Sequence, residues 1–388
     1  MEFEAWWLVL FPVFFALGWL AARIDIKHVL ADSKSLPQAY FKGLNFLLNE
    51  QTDKAVEVYV DLARNHAETI ELQFALGHLF RRKGEIERAI RMHQKLLERA
   101  ELKPEQRHAA QYELGLDFMK AGLFDRAEEL FESLEGTELA RGALRHLLDI
   151  YQQEKEWKRA IEVAQQLRDT SHTYQHEIAE FYCELANHAA IKSQPKEARQ
   201  FLQQALAEHR KCVRANLILG DLEVAEQNWM EAIDAWQKIE SQDHRYLPMV
   251  AKRLLDIYDR LGKIEEGTAL VRGYLATYPE LDMLELVHDR ILQYEGSESA
   301  ANFLSEELKR SPSILGLIKL LDSQAVGAQP ERKSELDLMK KLVQDNTRSL
   351  AMYHCGRCGF KARQYFWHCP ACNEWESFLP SRGQTRPN

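Results

Sequence analysis

Residues 216–236 read NLILGDLEVAEQNWMEAIDAW. Two apolar helical patterns flank a short polar turn, with a small residue in each, Gly220 and Ala232, and Trp236 four places beyond the second. The same arrangement recurs along the chain. The small residue of the second helix is Ala55, Ala89, Ala127, Ala160, Ala198, Ala232, Gly267 and Ala300, at spacings of 34, 38, 33, 38, 34, 35 and 33. Between residues 36 and 350 no strand-like alternation interrupts the series, so the period identifies stacked helix pairs.

Twelve places before each marker stand Gly43, Gly77, Gly115, Leu148, Ala186, Gly220, Leu255 and His288, and only the last departs from a small or apolar residue. Four places after it stand Tyr59, His93, Phe131, Ala164, Leu202, Trp236, Val271 and Leu304. Small residues let paired helices approach, and large ones fill the groove between neighbouring pairs. One pair cannot bury its apolar face, so the stack is the folding unit. The pattern resembles the tetratricopeptide repeat and predicts an all-α superhelix of eight to nine helix pairs over residues 36–350. Its last pair, after a loop at 324–332, ends in a helix that the sequence starts at Ser334 as N-cap.

Near the C-terminus, residues 353–378 read YHCGRCGFKARQYFWHCPACNEWESF, placing Cys355, Cys358, Cys369 and Cys372 as two Cys-x-x-Cys pairs ten residues apart. Two such turns supply four thiolates to one tetrahedral ion, zinc or iron. Gly359 and Asn373 follow the second cysteine of each pair, where a left-handed backbone turns amides toward sulfur. The segment resembles a rubredoxin-type or zinc-ribbon knuckle, though its insert is shorter than a full rubredoxin's, and four protein ligands make the ion structural. Arg357, Lys361, Arg363 and His368 are placed to offset the thiolate charge. Tyr365, Phe366, Trp367, Trp375 and Phe378 exceed what so small a knuckle buries alone, which predicts docking on the last helices of the stack. The other two of the six cysteines, Cys183 and Cys212, read as small buried hydrophobes.

Residues 5–22 (AWWLVLFPVFFALGWLAA) are uncharged and about 27 Å long as a helix, with Trp6, Trp7 and Trp19 near its ends. They are expected to form a transmembrane anchor within residues 1–22. Glu2 and Glu4 precede the span, while Arg23, Lys27 and Lys34 follow it in a juxtamembrane linker at 23–35. The positive-inside rule then leaves the N-terminus periplasmic and the bulk of the chain cytoplasmic. The remaining divisions are the metal knuckle at 351–380 and a flexible tail at 381–388.

A formal net charge of -9 argues against a nucleic-acid partner. No phosphate loop or nucleophile elbow appears, and His172, His176 and Glu177 lack the His-Glu-x-x-His order of a zinc protease. A binding role is therefore expected rather than an enzymatic one. One place beyond the small site of each first helix, Asp149, Asn187, Asp221, Asp256 and Asp289 mark a partly acidic face, read either as a solvated surface or as a track for a basic or amide-rich protein segment. Glu180, Asp259 and Asp282 lie nearby in sequence, and Arg81 and Arg82 make the first half different.

Anchor, repeats and knuckle together resemble the lipopolysaccharide assembly protein B family of Gram-negative bacteria. That resemblance implies an inner-membrane adaptor that restrains lipopolysaccharide synthesis. Its implied partners are a membrane-bound ATP-dependent metalloprotease, the deacetylase that commits precursors to lipid A, a membrane-embedded lipopolysaccharide sensor, assembly enzymes and a second copy of itself. A general co-chaperone or assembly scaffold and a rubredoxin-type electron carrier are the alternatives.

Overall fold

The computed structural model describes residues 42–43, 45–46, 49, 51–65, 70–169, 172–325, 328–347, 353–378 and 380. The expected anchor at 5–22, linker at 23–35 and tail at 381–388 lie outside them. Among the described residues no helix is long and apolar enough to cross a membrane.

The described chain is helical up to Thr347, and its helices alternate as the period requires. The first compact unit, ending at Glu154, holds α1 (Thr52–Asn65), α2 (Ile70–Lys83), α3 (Ile86–Leu97), α4 (Pro104–Ala121), α5 (Phe124–Glu132) and α6 (Ala140–Glu154). The second begins at Lys155 with α7 (Trp157–Leu167), α8 (Gln175–Ile191), α9 (Pro195–Glu208), α10 (Val213–Ala225) and α11 (Trp229–Asp243). A single 3-10 turn, His244–Tyr246, leads to α12 (Leu247–Arg260), α13 (Ile264–Thr277), α14 (Leu284–Glu295), α15 (Ser297–Arg310), α16 (Ile314–Ala325) and α17 (Pro330–Thr347).

Every marker residue is buried, and the seven alanines have no exposed surface. The reason is steric. A Cβ on Gly220 would lie 2.0 Å from the Trp236 indole nitrogen, and one on Gly77 2.3 Å from the His93 ring. Gly43 meets Tyr59 and Gly115 meets Phe131 in the same way, at 2.6 and 2.8 Å. The residue sixteen places after a glycine is thus a ring lying where that glycine's side chain would be. Where the first position is larger the later one is aliphatic: Ala186 shares a core with Leu202, and Leu255 with Val271.

The turn between the helices of a pair is nearly as regular; between α14 and α15 it falls at Gly296, four places before Ala300, at φ 94°. Five places before the marker, Gly84, Gly122, Lys155, Ser193, Gln227 and Gly262 all have positive φ, between 58° and 86°. Half of these are not glycine, so the turn geometry is imposed by the packing of the pairs and not by glycine alone.

One boundary differs from expectation. The last helix starts at Pro330, leaving Ser334 inside its second turn instead of capping it. Proline has no N–H to leave orphaned and its φ is preset for the first helical position, which makes it the better start.

Replacing Gly220 by Leu should lower the thermal midpoint followed by circular dichroism, because the indole has nowhere to go. Trp236→Ala alone should cost about 3–5 kcal/mol. Combined, the two changes should be less damaging than their sum, with a coupling of about 0.5–3 kcal/mol; strict additivity would show that the two sites do not share one space.

Candidate metal centre

The four thiol sulfurs of Cys355, Cys358, Cys369 and Cys372 converge, all lying within 4.8 Å of one another. Cys355 and Cys372 sulfurs are 3.7 Å apart, and those of Cys358 and Cys369 3.8 Å. Sulfurs at the corners of a tetrahedron with metal–sulfur bonds of about 2.3 Å stand about 3.8 Å apart, so the donor set fits one zinc or iron ion.

Two superimposable turns create this geometry. The Gly359 amide donates to the Cys355 carbonyl at 3.0 Å, and the Asn373 amide to the Cys369 carbonyl at 2.9 Å. The cysteine amides in turn reach Phe360 and Glu374 carbonyls, both at 2.9 Å. Gly359 and Asn373 are left-handed, at φ 75° and 55°. A short antiparallel pair, β1 (Tyr353–His354) and β2 (Lys361–Ala362), closes the first turn. Beneath the sulfurs lies Phe378, and Ser377 hydroxyl stands 3.3 Å from Cys355 sulfur. Of the cations expected near the thiolates, Arg357 pairs with Glu374, while His368 stacks on Trp375 and contacts the Asn373 carbonyl at 3.0 Å.

The knuckle docks on the repeats, but not on the last helices. Trp367 stacks on Tyr246, centroids 5.5 Å apart and ring planes nearly parallel, and the Tyr365 hydroxyl donates to that of Tyr246 at 3.2 Å. Trp375 meets Trp157 of α7 and Phe181 of α8 edge-on, at 6.1 and 5.9 Å. Arg214, buried at the start of α10, lies 5.7 Å from both the Trp367 and Trp375 rings. Nearness in sequence to α17 was the wrong guide. The knuckle's indoles go where aromatic rings and a desolvated guanidinium complete them.

Arg214 is held by Glu180 at 2.9 Å and by Glu184. Burial pushes Glu180 up to about 7 against the pull of Arg214. Far from lining an open groove, Glu180 is enclosed with Cys183 and Cys212, whose sulfurs are 3.7 Å apart. Burial raises the Cys183 thiol, and its bond to Cys183 together with burial raises Cys212, so neither is an activated nucleophile. His176, part of the rejected protease-like triplet, instead meets Glu376 of the knuckle at 2.8 Å.

The other sequence-chosen positions are dispersed. Asp149 lies in the first unit, exposed, 3.8 Å from His146. In the second unit Asn187 is half-buried, while Asp221, Asp256 and Asp289 are exposed. Arg253 bonds Asp221 at 2.6 Å, and Lys319 bonds Asp289 at 2.9 Å. Nearby Asp259 pairs with Arg290. A cation one repeat later thus answers several of these carboxylates. Sequence reasoning missed Arg214, Trp157 and Tyr246; the available signal was Arg214 as the one charged residue in the first two turns of α10.

The rubredoxin metal-binding domain family matches residues 353–380, and tetratricopeptide repeat families match 72–107, 112–172 and 183–243. The chain is 36% identical over 379 residues to lipopolysaccharide assembly protein B of Escherichia coli K12, covering 97% of each. It is 33% identical to the protein of that name from Haemophilus influenzae, covering 97% of this chain and 98% of the other. Among solved structures, the C-terminal part of a TPR repeat-containing protein from Cytophaga hutchinsonii aligns at a TM-score of 0.38 and 12% identity, over 65% of this chain and 99% of that one.

Two measurements test this centre. Protein purified without chelator should carry one metal ion per chain by elemental analysis, and Cys369→Ser should abolish it and lower the thermal midpoint; a variant that keeps both would remove the site. Separately, the bond to Glu376 raises His176 above its ordinary 6.5, despite burial. A raised folded value makes the contact fully stabilising below about pH 6.5 and progressively lost as pH rises through it. The difference in thermal midpoint between the wild type and His176→Gln should therefore be largest at pH 6 and shrink toward pH 8.

Proposed function

Because this chain belongs to the lipopolysaccharide assembly protein B family, we propose that it is a non-enzymatic adaptor of the bacterial inner membrane that restrains lipopolysaccharide synthesis. Its work is to bring the lipid A-committing deacetylase to a membrane-bound ATP-dependent metalloprotease. The similarity over 97% of the chain carries this reading. It is supported by repeats of a kind that present long protein-binding surfaces, and by a metal knuckle whose four ligands leave no place for substrate.

In this reading residues 5–22 anchor the chain with its bulk on the cytoplasmic side, which confines encounters to the membrane plane and raises the effective concentration of protease and client. The membrane-embedded sensor of lipopolysaccharide supply would contact that anchor, and a second copy of the chain would complete a homodimer. Clients would approach the exposed side of the second unit that carries Asp221, Asp256 and Asp289. The Asp221–Arg253 pair is solvent-exposed, so trading that internal cation for a partner's costs little, while Asp289 is exposed but its partner Lys319 is half-buried.

Depleting the protein from a Gram-negative host should lengthen the lifetime of the deacetylase in a synthesis-block chase. A chain lacking residues 5–22 should restore turnover poorly, and charge reversal of Asp221 with Asp256 should weaken client capture. An unchanged deacetylase lifetime on depletion would refute the adaptor reading.

A further inference from the structure

The first unit contains a cavity of about 720 Å³ where α2 ends, α3 begins and α4 passes beside them. Its described lining includes His78, Arg81, Arg82, Lys83 and Lys120, and no carboxylate. In a chain of net charge -9 this is a local reversal of sign. Like charges so close repel one another unless something holds them.

What holds them lies behind the cavity wall. Arg81 donates to Asp117 at 2.8 Å and to the Glu113 carbonyl at 3.0 Å, and it also pairs with the Glu113 carboxylate. Asp117 is fully buried, and its second oxygen meets His93 at 2.6 Å. His78 reaches Glu113 at 2.9 Å. Burial pushes Glu113 up, and its bonds from His78 and Arg81 more than cancel that, holding it at about 2. Lys83 is held by Asp53 at 2.9 Å and Glu85 at 3.0 Å. These carboxylates leave Arg82 and Lys120 exposed and with no acidic partner among the described residues. Arg81 is thereby fixed in one orientation beside two cations still open to a ligand.

We propose that this cavity binds an acidic peptide segment of a protein partner, with carboxylates bridging Arg82 and Lys120. A bare phosphate is far smaller than the space. Ile86 adds an apolar patch to this cationic lining, which suits a segment that carries apolar side chains among its carboxylates. The inference rests on the first unit's own residues and is independent of the adaptor reading.

The test is fluorescence anisotropy of the full chain in detergent with a fluorescein-labelled octapeptide of alternating glutamate and leucine. Arg82→Glu with Lys120→Glu should weaken binding by about tenfold or more, and Arg82→Gln with Lys120→Gln by less. Lys158→Glu with Lys252→Glu makes the same change in net charge in the second unit and should leave affinity within about twofold. Binding should also fall as salt is raised. Absence of wild-type binding, an equal loss in the control variant, or full displacement by millimolar inorganic phosphate would overturn the proposal. So would an Arg82- and Lys120-dependent interaction with phosphatidylglycerol vesicles in place of the peptide.

Discussion

The close approach of paired helices underlies the rest of this molecule, and in four of the pairs a missing Cβ makes the room for it. Where Gly43, Gly77, Gly115 and Gly220 stand, the ring sixteen residues later occupies the volume a side chain would have taken. The two helices of a pair are set at a distance that neither determines alone. A fixed distance fixes the turn between them, and in the Gly220–Trp236 pair Gln227 accepts the same left-handed backbone as Gly84 and Gly122 in theirs. Non-glycine residues there carry strain of about 1–2 kcal/mol each, which only cooperative packing of the pair can offset.

On that scaffold the metal knuckle closes the longest loops in the second unit. Tyr365 and Tyr246 are 119 residues apart in sequence, and Glu376 and His176 are 200 apart. Loop closure over such distances costs only slowly more as the loop lengthens, but each contact must be made by groups already positioned. The thiolate turns do the positioning. They order a segment whose own core is little more than Phe378 and the rings around the sulfurs, and the ordered segment then presents both Trp367 and Trp375 to Arg214. Metal coordination, indole packing and the buried Arg214–Glu180 pair therefore form one assembly. The guanidinium is tolerable inside because two carboxylates and two aromatic faces replace its lost water.

The repeat register and the four ligands were legible in the sequence because each rests on local spacing. Helical period, small-residue markers and Cys-x-x-Cys turns are set by residues within a few tens of positions, and Gly359 with Asn373 showed even the backbone sign. Where the knuckle sits was not legible, since it depends on which distant surface offers complementary rings. The start of α17 was missed for a different reason: two start signals competed four residues apart, and proline's covalent constraint outweighed serine's hydrogen bond.

The acidic face shows a third kind of limit. Reading one register position at a time produced a partly acidic column, either a solvated face or a track for a basic or amide-rich guest. In the folded chain Arg253 answers Asp221 over 32 residues, Arg290 answers Asp259 over 31, and Lys319 answers Asp289 over 30. A stack with a period near 34 places such pairs side by side, so charge in a repeat protein has to be summed between neighbouring repeats. The same summation applied to the first unit has the opposite result. There Glu113 and Asp117 answer Arg81 over 32 and 36 residues, yet no carboxylate among the described residues answers Arg82 or Lys120. A carboxylate column and a cationic cluster can look equally charged along the chain; they differ in how much of that charge the adjacent repeat has already neutralised.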